Sequence, residues 1–474
     1  MRETKLYKAL IQLNGHELNR LHRFILSPYF NRNHAIINLF EYLKEDLKEE
    51  KVEDLTKEEL WVLCFSPNEQ YDDGRFRKLQ SDLLKLVEEY YAQEAFEVNP
   101  IHKAKYLLET IYNKDLDQLQ SGSLKTAKRL SEEQTLKPAS FYYYRYEIEQ
   151  NIFNLTRSQL ERNSKSNIEE IAENLDRFYL AEKLRYYCTI LNHQHLAAID
   201  YKMLFIEEII EHVKSIDYQD VPPILLYYQI LLTYKEPENK QHYVQLKKLI
   251  DQHIHLFPES EKKEIIDAVL NYGIKRMNAG EVEYIREVFN FYCSALESGL
   301  LLVKGQMTPW SFKNIVTAGL RLNEFDWIEE FIYSYNKFLD PKFQNNATTF
   351  SLAQLYFYKK DYPNVIGLLS KVEYNDMSYN LDSKTLLMAS YFELDEIEAL
   401  GSFLDTFRIY LSRTKELPTF RRKHYLTTIG IVRKLSKIRT NDKKEIEKLQ
   451  NEVQNTQGVV SKNWILEKLA LLNR

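Results

Sequence analysis

Apolar residues recur at helical spacing along almost the whole chain, and prolines interrupt them at intervals. Leu79, Leu83 and Leu86, for example, fall on one side of a helix. The runs between prolines are roughly 30 to 50 residues long, which suits two antiparallel helices joined by a short loop. Alternating apolar and polar runs bounded by Asn-Gly or Asp-Gly turns do not recur, so strands are not predicted. The sequence therefore predicts an all-α fold.

Glycine is scarce, at 12 of 474 residues. That is roughly 2.5%, against a usual content of about 7%. Glycine supplies the positive-φ positions of hairpin turns and of phosphate-binding loops, so its scarcity weighs against sheet-rich folds and nucleotide-dependent enzymes. The chain also carries no glycine-rich phosphate loop, no nucleophile elbow and no H-E-x-x-H motif. We expect a protein that is not an enzyme and binds no cofactor.

The three cysteines, Cys64, Cys188 and Cys293, lie far apart in the sequence. Such spacing fits a reducing cytosol and suggests neither a disulfide framework nor a zinc site. No stretch approaches the roughly 20 apolar residues of a membrane span, and the first residues lack the apolar run of a signal peptide. We therefore predict a cytoplasmic protein without membrane insertion.

Two histidine pairs invite a metal-binding interpretation, His193 with His195 and His253 with His255. Both pairs lie in helical context, where side chains two positions apart point about 200° apart around the axis. Two such side chains do not reach one ion unless the helix breaks between them. The sequence therefore predicts no metal site.

Weak repeats are clearest between residues 310 and 410. A small residue recurs in each unit, a large one follows three positions later, and an Asn or Asp comes next. The small positions are Gly319, Ala353 and Ala389; the large ones are Leu322, Tyr356 and Phe392; the polar ones are Asn323, Asp361 and Asp395. A small residue allows two helices to approach closely, and we expect the Asn or Asp to cap the second helix. Each pair then exposes an apolar face that only a neighbouring pair can cover.

These units resemble tetratricopeptide repeats, and residues 352–369 match best, with Ala353 and Tyr356 at the family's small and large positions. Val365 departs from the family, which prefers a small residue there. The resemblance implies a right-handed α-solenoid of stacked antiparallel helix pairs over residues 99–442. Residues 1–98 do not fit the repeat and are predicted to form a distinct N-terminal helical domain. Residues 443–474 are predicted to form capping helices.

An aromatic run, Phe141-Tyr-Tyr-Tyr-Arg-Tyr146, is denser than one helix face can bury. One interpretation is packing between helices. The other is a concave recognition surface, since tyrosine is a rigid anchor with one polar end. The candidate partner-binding residues are Tyr142, Tyr143, Tyr146, Tyr186 and Tyr187. Together with the resemblance, this surface predicts a scaffold or adaptor that binds a protein or peptide partner.

Basic residues concentrate between positions 408 and 444, where 12 Lys or Arg stand against 2 acidic residues, although the whole chain has a net charge of -5. Such charge density attracts phosphates or acidic protein surfaces. A solvated face, or pairing with the acidic remainder of the chain, explains it equally well. The candidate residues are Arg421, Arg422, Lys423, Arg433, Lys434 and Lys437. They define the alternative function, a nucleic-acid-associated regulator that uses the 408–444 segment.

Overall fold

The computed structural model describes residues 2–49, 56–65, 69–157, 165–197, 201–302, 305–370, 377–438 and 442–473. Within these residues every regular element is helical, so the predicted all-α class is confirmed for the described part of the chain. Among those helices, none combines the length and the apolar character that a membrane crossing requires.

The chain divides into two compact units, Met1–Glu182 and Lys183–Arg474. The helices of the first unit are α1 Lys5–Leu10, α2 Gly15–Leu26, α3 His34–Glu49, α4 Lys57–Cys64, α5 Asp73–Val98, α6 Pro100–Asn113, α7 Asp117–Glu132 and α8 Ala139–Thr156. The division falls within the next helix, α9 Ile168–Ala197.

The second unit continues as a series of further α-helices, with short 3₁₀ segments at 254–256 and 336–338. These helices are α10 Ile206–Ser215, α11 Pro222–Lys235, α12 Lys240–His253, α13 Glu259–Asn278, α14 Glu283–Glu297, α15 Pro309–Arg321, α16 Phe325–Tyr335, α17 Pro341–Tyr358, α18 Tyr362–Leu369, α19 Met377–Glu393, α20 Ile397–Arg413, α21 Thr419–Leu435, α22 Lys443–Asn455 and α23 Lys462–Leu472.

Helices α1 to α5 share one apolar core, in which Phe40, Trp61 and Phe76 are fully buried. A capping box begins α4. The Thr56 backbone N–H donates to the Glu59 carboxylate at 2.8 Å, and the Glu59 backbone N–H donates to the Thr56 hydroxyl at 3.3 Å. This reciprocal pair satisfies two backbone N–H groups at the start of the helix.

The predicted division between residues 98 and 99 falls where α5 ends and α6 begins. Asn99 serves both helices, because it ends α5 and its side chain accepts the His102 backbone N–H at 3.4 Å. Helices α6, α7 and α8 then build a second core around Ile101, Leu108 and Ile148. Both cores belong to the first compact unit, and a separate domain over 1–98 stays a prediction.

In the second unit, helices pack against their neighbours in the sequence and, in several places, against the helix after next. Helix α13 packs against α14, α17 against α18, and α19 against α20. Alternate helices are also in contact: α11 packs against α13, α15 against α17, and α17 against α19. As a result, α15, α17 and α19 lie side by side.

The same left-handed turn ends four helices of this unit. The second residue after the helix has a positive φ in each case, and the next backbone N–H donates to the carbonyl five residues back, as Glu324 does to Gly319 at 3.0 Å. This hydrogen bond satisfies a carbonyl that the helix end leaves free. The left-handed residues are Gly280 (φ 98°), Asn323 (φ 61°), Lys360 (φ 63°) and Asp395 (φ 57°).

These turns correct one prediction. Asn323 and Asp395 do not cap the following helices; they take the left-handed conformation, and the caps are Glu324 and Glu396, whose side chains make no capping hydrogen bond. Only Asp361 caps as predicted, accepting the Asn364 backbone N–H at 3.4 Å. The sequence did not separate the two roles because Asn and Asp favour both helix caps and left-handed turns.

Gly319 allows α15 to approach its neighbours closely, as its small size predicts. A Cβ atom at this position would lie 2.4 Å from Ile328 Cδ1 on α16 and 2.9 Å from Phe289 Cε2 on α14. Real Cβ contacts essentially never fall below 3.0 Å. Ile328 and Phe289 are both buried, so a side chain at position 319 would displace atoms that are already packed.

Helices α22 and α23 share an apolar core with α19, α20 and α21. Ile465 and Leu469, one turn apart on α23, are fully buried in it, while Glu467 between them is exposed. Helix α23 is therefore amphipathic, and the capping role of residues 443–474 stays a prediction.

Candidate functional site

The second unit contains a groove of about 1040 Å³. Helices α13, α15, α17 and α19 supply most of its lining, Ile285 of α14 joins them, and residues 459–464, which include the start of α23, complete the wall. Its aromatic lining residues are Phe350, Phe357, Tyr358 and Trp464, and its polar ones include Asn278, Asn314, Thr317, Arg321, Gln354 and Thr385. The groove thus offers rings and amides together, the mixture that a protein segment needs to be held by both its side chains and its backbone.

Lys313 occupies a cage in the groove wall. Its ammonium lies 5.3 Å from the Trp310 ring centre, 5.5 Å from Phe350 and 5.1 Å from Tyr379, and it forms an ion pair with Asp382. Ring faces and a carboxylate both attract a cation, so the side chain is held from several sides. This arrangement ties α15 to α17 and α19 and fixes the spacing of the helices that line the groove.

Gln354 presents a buried acceptor in the same lining. Its Oε1 atom is shielded from solvent and has no hydrogen-bond partner within the described residues. A buried amide oxygen without a partner costs about 1–3 kcal/mol, so an N–H group that reached it would recover this cost. The atom therefore marks a point where a bound backbone amide would be stabilised.

Residues 459–464 form one side of the groove, and hydrogen bonds hold them in place. Trp464 Nε1 donates to Glu393 at 2.7 Å, and Lys468 Nζ donates to the same carboxylate at 2.9 Å. Further along, the Val460 backbone N–H donates to the Thr428 hydroxyl at 2.8 Å. These contacts fix residues 459–464 against α19 and α21.

The three predicted tyrosines of α8 differ in exposure. Tyr142 is buried, while Tyr143 and Tyr146 are half-buried. Tyr143 packs its ring 5.1 Å from Phe178 of α9, and burial, followed by a hydrogen bond to Glu147, raises its pKa. Much of the aromatic run is thus used in helix packing, and none of it lines the groove.

Tyr186 and Tyr187 lie on α9 within the second unit, apart from the α8 tyrosines of the first. Tyr186 is 60% exposed and remains available to a partner. Tyr187 is buried, and its hydroxyl donates to the Leu204 carbonyl. Of this pair only Tyr186 presents its ring to solvent.

Three of the predicted basic residues are engaged within the protein. Arg422 turns inward and donates to the Thr414 carbonyl at 2.8 Å. Arg433 pairs with Asp405 at 2.6 Å, and Lys434 donates to both oxygens of Glu452, at 2.7 and 2.8 Å. Intramolecular pairing with acidic residues therefore accounts for part of the basic segment.

The remaining predicted basic residues, Arg421, Lys423 and Lys437, are exposed. The first two lie near the start of α21, and Lys437 follows its end. A 17-residue helix rises about 25 Å. The basic segment is therefore not one patch but two clusters, one at each end of α21, and the second comprises Lys437, Lys443 and Lys444. Arg439, between Lys437 and Lys443 in sequence, lies outside the described residues.

Within the described residues, the histidine pairs are not arranged to bind a metal ion, and the Cys188 thiol is buried. His193 is exposed, and the side chain of His195 lies outside the described residues. Burial, and then repulsion from His255, lowers the pKa of His253. Cys188 is buried and donates to the Tyr227 carbonyl, and burial raises its pKa. Over the described residues, no group of three or more His, Cys, Asp or Glu is placed to hold a metal ion.

The groove residues were not singled out in the sequence. Lys313, Arg321 and Gln354 come from two helices, and Trp464 comes from a segment more than a hundred residues further along. One local signal was available: Lys313 interrupts an apolar stripe between Phe312 and Ile315, where a charged residue needs a partner. The partner rings and carboxylate lie up to 69 residues away, and the sequence did not indicate them.

No family model, no curated protein and no solved structure matches this chain.

Proposed function

We propose that the second unit is an α-solenoid of stacked helix pairs, similar to tetratricopeptide repeats, that acts as a scaffold or adaptor in the cytoplasm. The recurring left-handed turn and the contacts between alternate helices support this arrangement. In such a stack each pair covers the apolar face of the next. The first helices of successive pairs then line a common surface, where a partner binds.

The observation that carries this proposal is the groove itself. It is large enough for several residues of a protein segment, and its lining combines helices from α13 to α23 that are distant in sequence. Phe357, Tyr358 and Trp464 offer apolar surface for side chains, while the free Gln354 oxygen offers an acceptor for a backbone N–H. We propose that the ligand is a segment of a protein partner, bound in the groove without chemical change.

Peptide display tests this proposal. Random peptides would be selected on the wild-type protein, and each enriched peptide would then be measured against a Thr317→Trp variant. Thr317 is half-buried on α15 and lines the groove, so an indole there would fill part of it. The matched control is Ser334→Trp, which adds the same side chain at an exposed position of α16 away from the groove.

We expect enriched peptides that bind the wild type and the Ser334→Trp variant equally, and bind the Thr317→Trp variant at least tenfold more weakly. A tenfold loss corresponds to about 1.4 kcal/mol. If selection enriches nothing, or if the peptides bind all three proteins equally, the groove is not a protein-binding site.

A further inference from the structure

The turn between α20 and α21 carries a concentration of positive charge. Five basic side chains surround it and are exposed; we call them the turn cluster, Arg408, Arg413, Lys415, Arg421 and Lys423. Between residues 408 and 424 the only acidic residue is Glu416. The cluster therefore keeps a clear excess of positive charge, and none of its members lines the groove.

These five cations are not neutralised by the fold. No carboxylate of the described residues forms an ion pair with them, in contrast to Arg433 and Lys434 further along α21. The acidic residue of α19 that acts on this end of α21, Asp382, is itself paired with Lys313. The positive field at the turn is therefore available to a ligand.

An exposed aromatic ring belongs to the same turn. Phe420, next to Arg421 in sequence, is 60% exposed, and the His424 ring packs edge-on against it with its centre 5.8 Å away. An exposed ring flanked by cations is the arrangement on which unpaired nucleic-acid bases stack, while the cations hold the phosphates. A single exposed apolar residue is ordinary on a protein surface. An exposed ring in the same turn as five cations that form no ion pair is less common.

We propose that the turn cluster and Phe420 bind single-stranded nucleic acid. A single strand presents free base faces to Phe420, whereas a duplex keeps its bases stacked and offers only phosphates. The second basic cluster, at the other end of α21, lies about 25 Å away with Arg433 and Lys434 neutralised between, so the protein offers no continuous row of cations along a duplex. Binding is mainly electrostatic and independent of sequence, in the micromolar range typical of non-specific association.

Fluorescence anisotropy tests the proposal on the full chain. The probe is a labelled oligothymidine about 20 nucleotides long, which exceeds the known site sizes of single-strand-binding folds. A duplex of equal length and vesicles of phosphatidylcholine with phosphatidylserine serve as competitors, and each titration is repeated over a salt series. The variants are Phe420→Ala, Phe420→Leu and the double variant Arg421→Gln/Lys423→Gln. The control is Lys443→Gln/Lys444→Gln, which removes the same charge at the other end of α21.

We expect both Phe420 variants to weaken binding by about 5- to 150-fold without changing its salt dependence, since they remove stacking and no charge. The Arg421/Lys423 double variant should lower the slope of log affinity against log salt by about 1.4, or 0.7 for each lost phosphate contact. The Lys443/Lys444 double variant should behave as wild type. The proposal is overturned by absence of binding, by equal losses in both double variants, by an unchanged affinity of Phe420→Leu, or by preference for the vesicles.

Discussion

At the scale of single residues, the hairpin turns of the second unit depend on a left-handed backbone that most side chains disfavour. Gly280 adopts it without strain, and Asn323 and Asp395 tolerate it. Lys360 has no such advantage, yet it holds the same conformation between α17 and α18, with φ 63°. This turn is therefore the least suited to its sequence among the four.

We predict that Lys360→Gly stabilises the protein by about 0.5–1 kcal/mol. The left-handed conformation costs a non-glycine residue about 1–2 kcal/mol, and the greater freedom of glycine in the unfolded chain offsets part of that gain. Urea denaturation measures the effect. The control is Lys360→Ala, which removes the same charge but keeps the strain, so we expect it to be neutral or slightly destabilising. Equal effects of the two substitutions would show that charge, and not backbone conformation, is responsible.

Sequence reasoning was limited at this scale by residues that serve two roles. Asn323 and Asp395 carry the composition of a helix cap, and only the backbone angle distinguishes a cap from a left-handed turn. Tyr142 and Tyr187 similarly carry the composition of a binding surface, yet both are buried. Residue type indicates what a side chain can do, but its exposure is decided by helices distant in sequence.

At the scale of helices, the prolines were the most informative signal, although they mark beginnings more often than ends. Pro100, Pro222, Pro309 and Pro341 each occupy the first position of a helix, where the missing N–H has no partner to lose. Pro28, by contrast, follows the end of α2 directly after the C-cap residue Ser27. Proline therefore located the helices correctly, because both of its roles lie at helix boundaries.

Helix packing gives the second prediction, which pairs one substitution at two glycines. Gly319→Ala should destabilise the protein by about 1–3 kcal/mol, because the new methyl group would overlap Ile328 and Phe289. Gly367→Ala, in the exposed interior of α18 with no atom within 4 Å of the added carbon, should stabilise by up to about 1 kcal/mol.

The two variants are compared by chemical denaturation and by the near-ultraviolet signal of packed aromatic residues. Only the Gly319→Ala spectrum is expected to change, since Phe289 lies beside that position. A stabilising effect at Gly319 would mean that α15 and α16 separate easily and that their close approach is not needed.

At the scale of the whole molecule, the sequence indicated the helical class but not the groove. Periodicity is a local property, and the spacing of Trp464, Ile465, Leu469 and Leu472 is enough to indicate the amphipathic helix α23. The groove depends on which helices lie side by side, and its lining joins residues near 274 to residues near 464. No motif of fixed spacing connects such positions. The basic segment shows the same limit, because the length of α21 divides a run that is continuous in sequence.

The proposed stack predicts that a loss of stability in its last helix will destabilise the adjacent helices more than the distant ones. Leu469→Arg would place a charge in the core that α23 shares with α19 to α22 and so detach this helix. If each pair depends on its neighbours, amide hydrogen exchange should accelerate most in α21 and α22 and progressively less toward α15. The exposed control Glu467→Arg, on the same helix, should leave exchange unchanged. A uniform acceleration throughout the second unit would contradict a stack of nearest neighbours.

The position of Trp464 has a practical consequence. Its indole stands at the edge of the groove, donates to Glu393 and meets the Phe392 ring edge-on at 5.5 Å between centres. The emission colour of an indole depends on its contact with water and on nearby charge, so a ligand that covers this ring would shift its fluorescence. The intrinsic fluorescence of Trp464 therefore reports on this site, and occupancy of the groove could be followed in solution without attaching a dye.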